Sequence, residues 1–163
     1  MRAETITTSR LILEPLTAGH AAEMARALRD PALHEFIGGS PATEEELRSR
    51  YARMAAGPPP GGDDAWLNWV VRLDRAVGCV QATVTSGRAA VAWVVGVPWQ
   101  GRGIATEAAR ALVAWLGEHG VTEIVATIHP GHAASSAVAR RLGLVPTDDR
   151  VDGEVVWRSP PSR

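Results

Sequence analysis

The chain has 163 residues, a length that suits one domain, and we predict a single domain over residues 1–163. Its formal net charge of −1 gives no basic excess that would favour nucleic-acid or membrane binding, so neither kind of partner is expected. All 17 basic residues are arginines, which excludes a lysine Schiff base and a lysine general base. The polar N-terminus lacks a signal-peptide pattern, and no segment approaches the ~20 apolar residues that cross a bilayer, which predicts a cytoplasmic protein.

Cys79 is the only cysteine, so an intrachain disulfide is excluded. It lies in the apolar run from Val77 to Val84, and this setting favours a buried thiol over a reactive one. We predict no metal site.

The first part of the chain predicts one strand and two helices. Residues 11–15 are short, β-prone and closed by proline, which is typical of a strand. Thr17 can cap a helix over residues 18–29, with its apolar residues in one stripe. The capping-box spacing of Thr43 and Glu46 predicts the second helix.

The second part predicts most of a sheet. Short turns separate three strand-like runs, which favours an antiparallel meander, and strands and helices then alternate up to a closing hairpin. The predicted fold class is therefore α+β, with a central mixed, mostly antiparallel sheet of about seven strands and helices on both faces. The elements, in order, are strands over residues 66–73, 77–85 and 89–97, a helix over 103–119, a strand over 123–128, a helix over 135–142, and strands over 145–150 and 154–158.

A glycine-rich turn from Gln100 to Thr106 lies between a predicted strand and a predicted helix. The first N–H groups of a helix have no internal partner and carry a positive partial charge, so a diphosphate would suit this turn, and Arg102 would add a full charge. A structural turn that binds nothing is an equal alternative from the glycines alone. The missing lysine excludes a P-loop, and Thr106 stands where a dinucleotide fingerprint needs its third glycine.

The pattern Gln100-x-x-Gly103-x-Ala105 resembles the acyl-CoA signature of the GNAT family of N-acetyltransferases. Its extension through Thr106, Glu107 and Ala108 is similar to the ribosomal-protein-alanine-acetyltransferase branch of that family, the RimJ/RimL-like branch. The resemblance runs from the first strand to Trp157, and it includes a later helix with Ser135 that ends in Leu-Gly.

The resemblance implies the GNAT-like acyl-CoA N-acyltransferase fold, with acetyl-CoA (coenzyme A) as the cofactor. In this family the strand before the glycine turn splays from its neighbour, and pantetheine pairs with the strand backbone in the gap. Gly96 interrupts that strand, which by itself suggests a bulge or a close backbone approach. The residues expected to bind the cofactor are Val95, Val97, Gln100, Gly101, Arg102, Gly103, Ile104, Ala105, Thr106, His132 and Ser135.

The same resemblance implies Ser135 and His132 as the catalytic pair. Many relatives place a tyrosine seven residues after an asparagine as the acid for the thiolate, but His132 stands at the asparagine and Ala139 at the tyrosine. Ser135, or a water that it holds, would then protonate the sulfur, with His132 as a second candidate. His132 could equally serve only as a helix cap.

Several residues are candidates for contact with the acceptor. His129 ends a predicted strand and could face the cleft, and His34 lies in the segment that would wall the acceptor site. Trp93 lies on the cofactor strand and is the tryptophan most suited to substrate contact. Glu14, His34 and His129 are the candidate bases, although a water chain could serve with no dedicated residue.

We therefore expect an enzyme that moves an acetyl group from acetyl-CoA to a primary amine by direct attack on the thioester. The acceptor would be a small molecule, such as an amino acid or an amine-bearing antibiotic, or a protein N-terminus. The alternative is a catalytically weak CoA-binding regulatory module of the same fold, which the missing tyrosine motivates. The sequence leaves the oligomeric state open, with a homodimer among the options.

Overall fold

A computed structural model describes residues 1–37 and 39–161; Gly38, Ser162 and Arg163, which the predicted domain includes, lie outside the described residues. The described strands are Ile6–Thr7 (β1), Ile12–Pro15 (β2), Ala65–Arg72 (β3), Ala76–Thr85 (β4), Arg88–Val95 (β5), Glu123–Ile128 (β6), Val145–Val151 (β7) and Glu154–Arg158 (β8). They form one sheet in the order β1-β2-β3-β4-β5-β6-β8-β7. Among the described strands only β5 and β6 are parallel neighbours, which confirms the mixed, mostly antiparallel α+β fold.

The sheet of eight strands has one strand more than the seven we predicted. The extra strand is β1, two residues that pair with β2 after a tight turn held by the Thr8 N–H and the Leu11 carbonyl oxygen (2.9 Å). Two residues are too few to show the alternation of apolar and polar residues that identifies a strand in a sequence.

Five α-helices connect the strands of the described chain, and four of them lie at or near predicted positions. The predicted helix over residues 18–29 is a 3₁₀ turn followed by a shorter α-helix, and α2 was not predicted. The capping box of Thr43 and Glu46 is present at the start of α3. The helices are Ala21–Ala27 (α1), His34–Ile37 (α2), Glu44–Ala56 (α3), Ile104–Glu118 (α4) and Ala133–Arg141 (α5).

Helices lie on both faces of the sheet because strand side chains alternate between the two faces. On one face, Trp69 and its neighbours pack under α4, where the Trp69 and Trp115 rings meet edge to face at 5.3 Å. On the other face, Val70 packs in a second, smaller apolar cluster with Met24 of α1 and Leu47 of α3. The sheet therefore separates two apolar cores.

β5 ends at Val95, two residues earlier than predicted. Val97–Trp99 forms a 3₁₀ turn that contains Pro98, and proline cannot donate a hydrogen bond to a strand ladder. The prediction that Val97 lies on the cofactor strand is therefore wrong.

Gly96 marks a close backbone approach, which was one of the two structures that we predicted there. Its N–H donates to the Val77 carbonyl oxygen (2.8 Å), so the pairing with β4 continues without a bulge. A Cβ atom at Gly96 would lie 2.3 Å from the Ala27 carbonyl oxygen and 2.8 Å from the Trp99 ring. Glycine is required because the end of α1 and Trp99 both press on the backbone at this point.

Candidate active site

The two parallel strands of the sheet diverge. β5 and β6 pair only at residues 88–90 and 123–125, after which β5 stays with β4 and β6 stays with β8. The gap that opens beyond Ala90 is part of a cleft of about 1130 Å³, and residues 91–95 of β5 and 126–128 of β6 line it. The cleft thus exposes strand backbone that the sheet does not use.

The glycine turn closes one end of this cleft. Gly101 and Gly103 have φ angles of +78° and +75°, a left-handed backbone that other residues adopt at a cost. Gly103 is the N-cap of α4, so the turn aims the unpaired N–H groups of the helix start toward the cleft. The Gln100 side chain holds the turn to the strand by donating to the Val95 carbonyl oxygen (3.0 Å).

Arg10 reaches the glycine turn from the segment between β1 and β2. Its Nε lies 2.7 Å from Oε1 of Glu107, and its Nη1 donates to the Arg102 carbonyl oxygen (3.0 Å). The Glu107 carboxylate also accepts from Thr8 Oγ1 (2.6 Å). Burial alone would raise the pKa of Glu107, but these hydrogen bonds outweigh burial and hold that pKa below its usual value. A fixed guanidinium therefore lies beside the turn.

Not every residue expected at the cofactor lines the cleft. Gln100, Gly101, Gly103, Ile104, Ala105 and Thr106 line it, as do Val95, His132 and Ser135. Arg102 and Val97 are not among the lining residues: Arg102 is exposed, and Val97 lies in the 3₁₀ turn. The guanidinium that lines the cleft near the turn is that of Arg10, not that of Arg102.

His132 and Ser135 meet at the start of α5. His132 is the N-cap, and its Nδ1 accepts from the Ser135 N–H (3.3 Å). Its Nε2 lies 3.2 Å from Ser135 Oγ. Since Nδ1 is an acceptor, a neutral His132 ring carries its proton on Nε2 and donates it to the Ser135 oxygen. The Ser135 hydroxyl then keeps its own proton for another acceptor.

The surroundings of His132 favour the neutral ring. Burial lowers its pKa, and the nearby His129 lowers it further, against a smaller opposite effect of Glu35. Phe36 of α2 stacks on the His132 ring with centroids 4.4 Å apart, and it contacts the His129 ring at 5.2 Å. His132 is therefore held as a donor to Ser135.

The candidates for acceptor contact fall in different places. Trp93 and His129 line the cleft, whereas His34 is not among its lining residues. His129 follows β6, and its Nδ1 accepts from the Gly131 N–H (2.9 Å). Glu14 lies away from the cleft in an ion pair with Arg72, whose hydrogen bond lowers the Glu14 pKa.

Tyr51 and Ala139 lie outside the cleft, so neither can act as an acid there. Tyr51, the only tyrosine, is buried in the second core, where burial raises its pKa. Ala139 is fully buried in the first core. Burial also raises the pKa of the Cys79 thiol to about 11, so the thiol is protonated near neutral pH.

Sequence reasoning missed several lining residues. Arg10 and Phe36 belong to segments without a readable motif, although Phe36 is the only phenylalanine of the chain. Glu154 opens β8 and reaches the cleft only through the pairing of β8 with β6. Because Arg10, Phe36 and Glu154 are far from the glycine turn in the sequence, no nearby motif marks them as part of the same site. The lining residues missed include Thr8, Ser9, Arg10, Leu33, Phe36, Glu107, Arg110, Thr127, Arg141 and Glu154.

Two classes of feature are not found in the part of the chain that the structure describes. No group of three or more histidine, cysteine or carboxylate side chains could hold a metal ion there. In the same residues no helix has both the length and the apolar character needed to cross a bilayer.

Comparison with solved structures identifies the fold. A protein from Vibrio cholerae described as a ribosomal-protein-serine acetyltransferase is 21% identical, with a TM-score of 0.76 over 97% of this chain and 98% of that chain. RimL, a ribosomal L7/L12 alpha-N-protein acetyltransferase solved with coenzyme A, is 16% identical, with a TM-score of 0.78 over 97% and 98%. The acetyltransferase AAC(6')-Ib, solved with ribostamycin and coenzyme A, is 18% identical, with a TM-score of 0.76 over 93% of each chain.

Sequence comparison identifies the family. No curated protein sequence matches the chain at a significant level. The family signature described as the acetyltransferase (GNAT) domain matches residues 10–145, a span that includes the Arg10 segment, the glycine turn and the Ser135 helix. With this match over most of its length and with this fold around the cleft, the chain belongs to the GNAT family of acetyltransferases.

Proposed function

We propose that the chain transfers the acetyl group of acetyl-CoA to a primary amine. One observation carries the proposal: the glycine turn at the start of α4 opens onto the gap between β5 and β6. A turn that binds a diphosphate and a narrow gap with free strand backbone suit a ligand with a diphosphate at one end and a thin thioester-bearing arm. Coenzyme A has this shape.

The residues around the cleft fit such a ligand. The backbone from Gln100 to Thr106 would hold the diphosphate, because N–H groups at a helix start bind anions. Arg10 would supply the positive charge that we had assigned to Arg102, since Arg10 lines the cleft. Arg110 and Arg141 also line the cleft and keep that region positive. Strand backbone near Val95 would hold the arm in the gap.

Ser135 and His132 would act at the sulfur. Acetyl-CoA supplies an activated acyl group, and the leaving sulfur must gain a proton. The Ser135 hydroxyl can donate that proton because its oxygen already accepts from His132 Nε2. The neutral His132 would then orient Ser135 and would not serve as the acid. This pair would take the place of the tyrosine that many relatives have where this chain has Ala139.

The relatives support an amine acceptor without selecting one. RimL is named for an alpha-amino group of a ribosomal protein, and AAC(6')-Ib is an aminoglycoside acetyltransferase. A protein N-terminus, an amino acid and a small amine all remain acceptors within the proposal.

The release of free thiol from acetyl-CoA tests the proposal. The assay would use phenethylamine, spermidine, kanamycin, and tetrapeptides that begin with alanine or serine. Turnover on at least one amine, and a rise in melting temperature with millimolar CoA, are expected. Tight CoA binding without turnover would favour the regulatory module. No rise in melting temperature would contradict both functions.

A further inference from the structure

The face of the sheet opposite α4 is only partly covered. On this face α1 and α3 pack against β3 and β4. The cleft reaches the β6 and β8 part of the sheet, where Leu33 and Phe36, from the α2 region, line it together with residues of the two strands. An acceptor could reach the gap between β5 and β6 from this side.

The alternation of side chains decides which residues meet such an acceptor. Ala126 and Ile128 of β6 belong to the core under α4 and α5, and Val155 of β8 packs against the same core. Their neighbours along each strand therefore point to the opposite face. Those neighbours are Thr127 in β6, His129 directly after β6 and Glu154 at the start of β8, and all three line the cleft.

Among the described residues, two carboxylates line the cleft, those of Glu107 and Glu154. Glu107 is held by Arg10 and Thr8 at the glycine turn. The Glu154 side chain has no hydrogen-bond or ion-pair partner within residues 1–37 and 39–161, and it is only half-buried. Glu154 is thus the carboxylate that remains available to a ligand.

His129 cannot easily take a proton from an acceptor in its observed arrangement. Its Nδ1 accepts the Gly131 N–H, so a neutral ring carries its proton on Nε2. The ring then presents a donor to the cleft and no free lone pair. His34 and Glu14, the other candidate bases, do not line the cleft.

We infer that Glu154 is the general base for the acceptor, which binds as a primary ammonium on the β6–β8 face. The inference rests on the proposed acetyl transfer. The carboxylate attracts the ammonium and removes one proton, which leaves a nitrogen lone pair. The nitrogen attacks the thioester carbonyl carbon, the C–N bond forms, and the C–S electron pair goes to sulfur. Nitrogen loses its second proton to water, and the sulfur gains a proton from the Ser135 hydroxyl, which takes one from water in turn. The proton on Glu154 returns to solvent, so one proton is released in each cycle.

The titratable and charged groups of the elements around this part of the cleft lie on three elements. His129 stands beside it at the end of β6, and Glu35 lies on α2. On the β7 hairpin Arg150 pairs with Val155 and therefore points to the other face, and Asp152 lies in the turn. The exposed Val151 is the direct partner of Glu154. None of these groups forms a hydrogen bond or ion pair with Glu154 in the described residues.

The test compares Glu154→Gln and Glu154→Asp with wild-type enzyme on the best amine of the panel above. At pH 7 the kcat/KM of Glu154→Gln should fall about 10²- to 10⁴-fold, as expected for a lost general base. Glu154→Asp should recover part of the loss. The Kd for CoA should stay within about twofold. Asp148→Asn is the matched control, because it removes an exposed carboxylate from β7 of the same hairpin but outside the cleft.

The pH profile separates a lost base from a lost structure. The rate of Glu154→Gln should rise about tenfold per pH unit up to the pKa of the amine, because only the free amine then reacts. Trifluoroethylamine is a weakly basic amine that is unprotonated at pH 7. With this amine, Glu154→Gln should lower kcat/KM less than it does with phenethylamine. Unchanged kcat/KM in Glu154→Gln, or the same pH profile produced by His129→Gln, would overturn the inference while acetyl transfer stands. No wild-type turnover on any amine would overturn both.

Discussion

Arg10→Gln should weaken CoA binding by about 10- to 150-fold, which corresponds to about 1.5–3 kcal/mol for a lost hydrogen bond between charged groups. In the structure the Arg10 guanidinium touches both the Glu107 carboxylate (2.7 Å) and the Arg102 carbonyl oxygen (3.0 Å). The substitution removes a positive charge from the turn. It also leaves the negative charge of Glu107 without its partner, one helical turn from the expected diphosphate position. The loss should therefore lie toward the upper end of this range.

Isothermal titration with CoA and with pantetheine, which lacks the diphosphate, measures this effect. The Arg10→Gln loss should appear with CoA and vanish with pantetheine. Folding should change little, by about 1 kcal/mol or less, because the ion pair is partly exposed. Arg102→Gln is the matched control and should stay within about twofold. In the double variant with Glu107→Gln, part of the affinity should return, since the uncompensated carboxylate is gone. Equal losses for CoA and pantetheine, or a larger loss in Arg102→Gln, would refute the reasoning.

Three further predictions concern catalysis, packing and pH. If Ser135 donates the proton, Ser135→Ala should lower kcat by at least tenfold and leave the Kd for CoA within about threefold. Equal losses of turnover, measured by stopped flow, and of CoA affinity, measured by titration, would show that Ser135 only positions the substrate. Gly96→Ala should destabilise the fold by about 1–3 kcal/mol in urea unfolding, because the new methyl overlaps the Ala27 carbonyl oxygen, whereas Gly117→Ala, with open space around it, should not. The hydrogen bonds from Arg72, which outweigh burial, lower the pKa of Glu23 from 4.5 to about 2, so the stability from this pair is complete above pH 4.5 and is lost as pH falls toward 2; unfolding curves of Glu23→Gln should show a weaker dependence over that range.

The features that the sequence predicts best are local ones. Gly101 and Gly103 define a strand-to-helix turn by their own backbone freedom, and the turn appears where we predicted it. The capping box of Thr43 likewise depends on a partner three residues away. Such features could be recognised because all the atoms that make them belong to one short segment.

The features that the sequence does not predict depend on pairing across the fold. Glu154 reaches the cleft because β8 inserts between β6 and β7, an order that the hairpin pattern does not reveal. Arg10 reaches the turn because the segment between β1 and β2 contacts the first turn of α4, where Thr8 and Arg10 bind Glu107. Arg102 has the right charge and the right place in the sequence, but its side chain is exposed, and chain neighbours of a turn need not point into it.

Because the sheet divides the interior into two cores, mutations on its two faces can act separately on the protein. The core under α4 supports the glycine turn and Ser135, whereas the smaller core under α1 and α3 lies on the face from which we expect the acceptor. Substitutions in separate cores share few partners, so their effects on the free energy of unfolding should add. The acceptor side can therefore be remodelled by mutation, in nature or in the laboratory, while the donor side is kept intact.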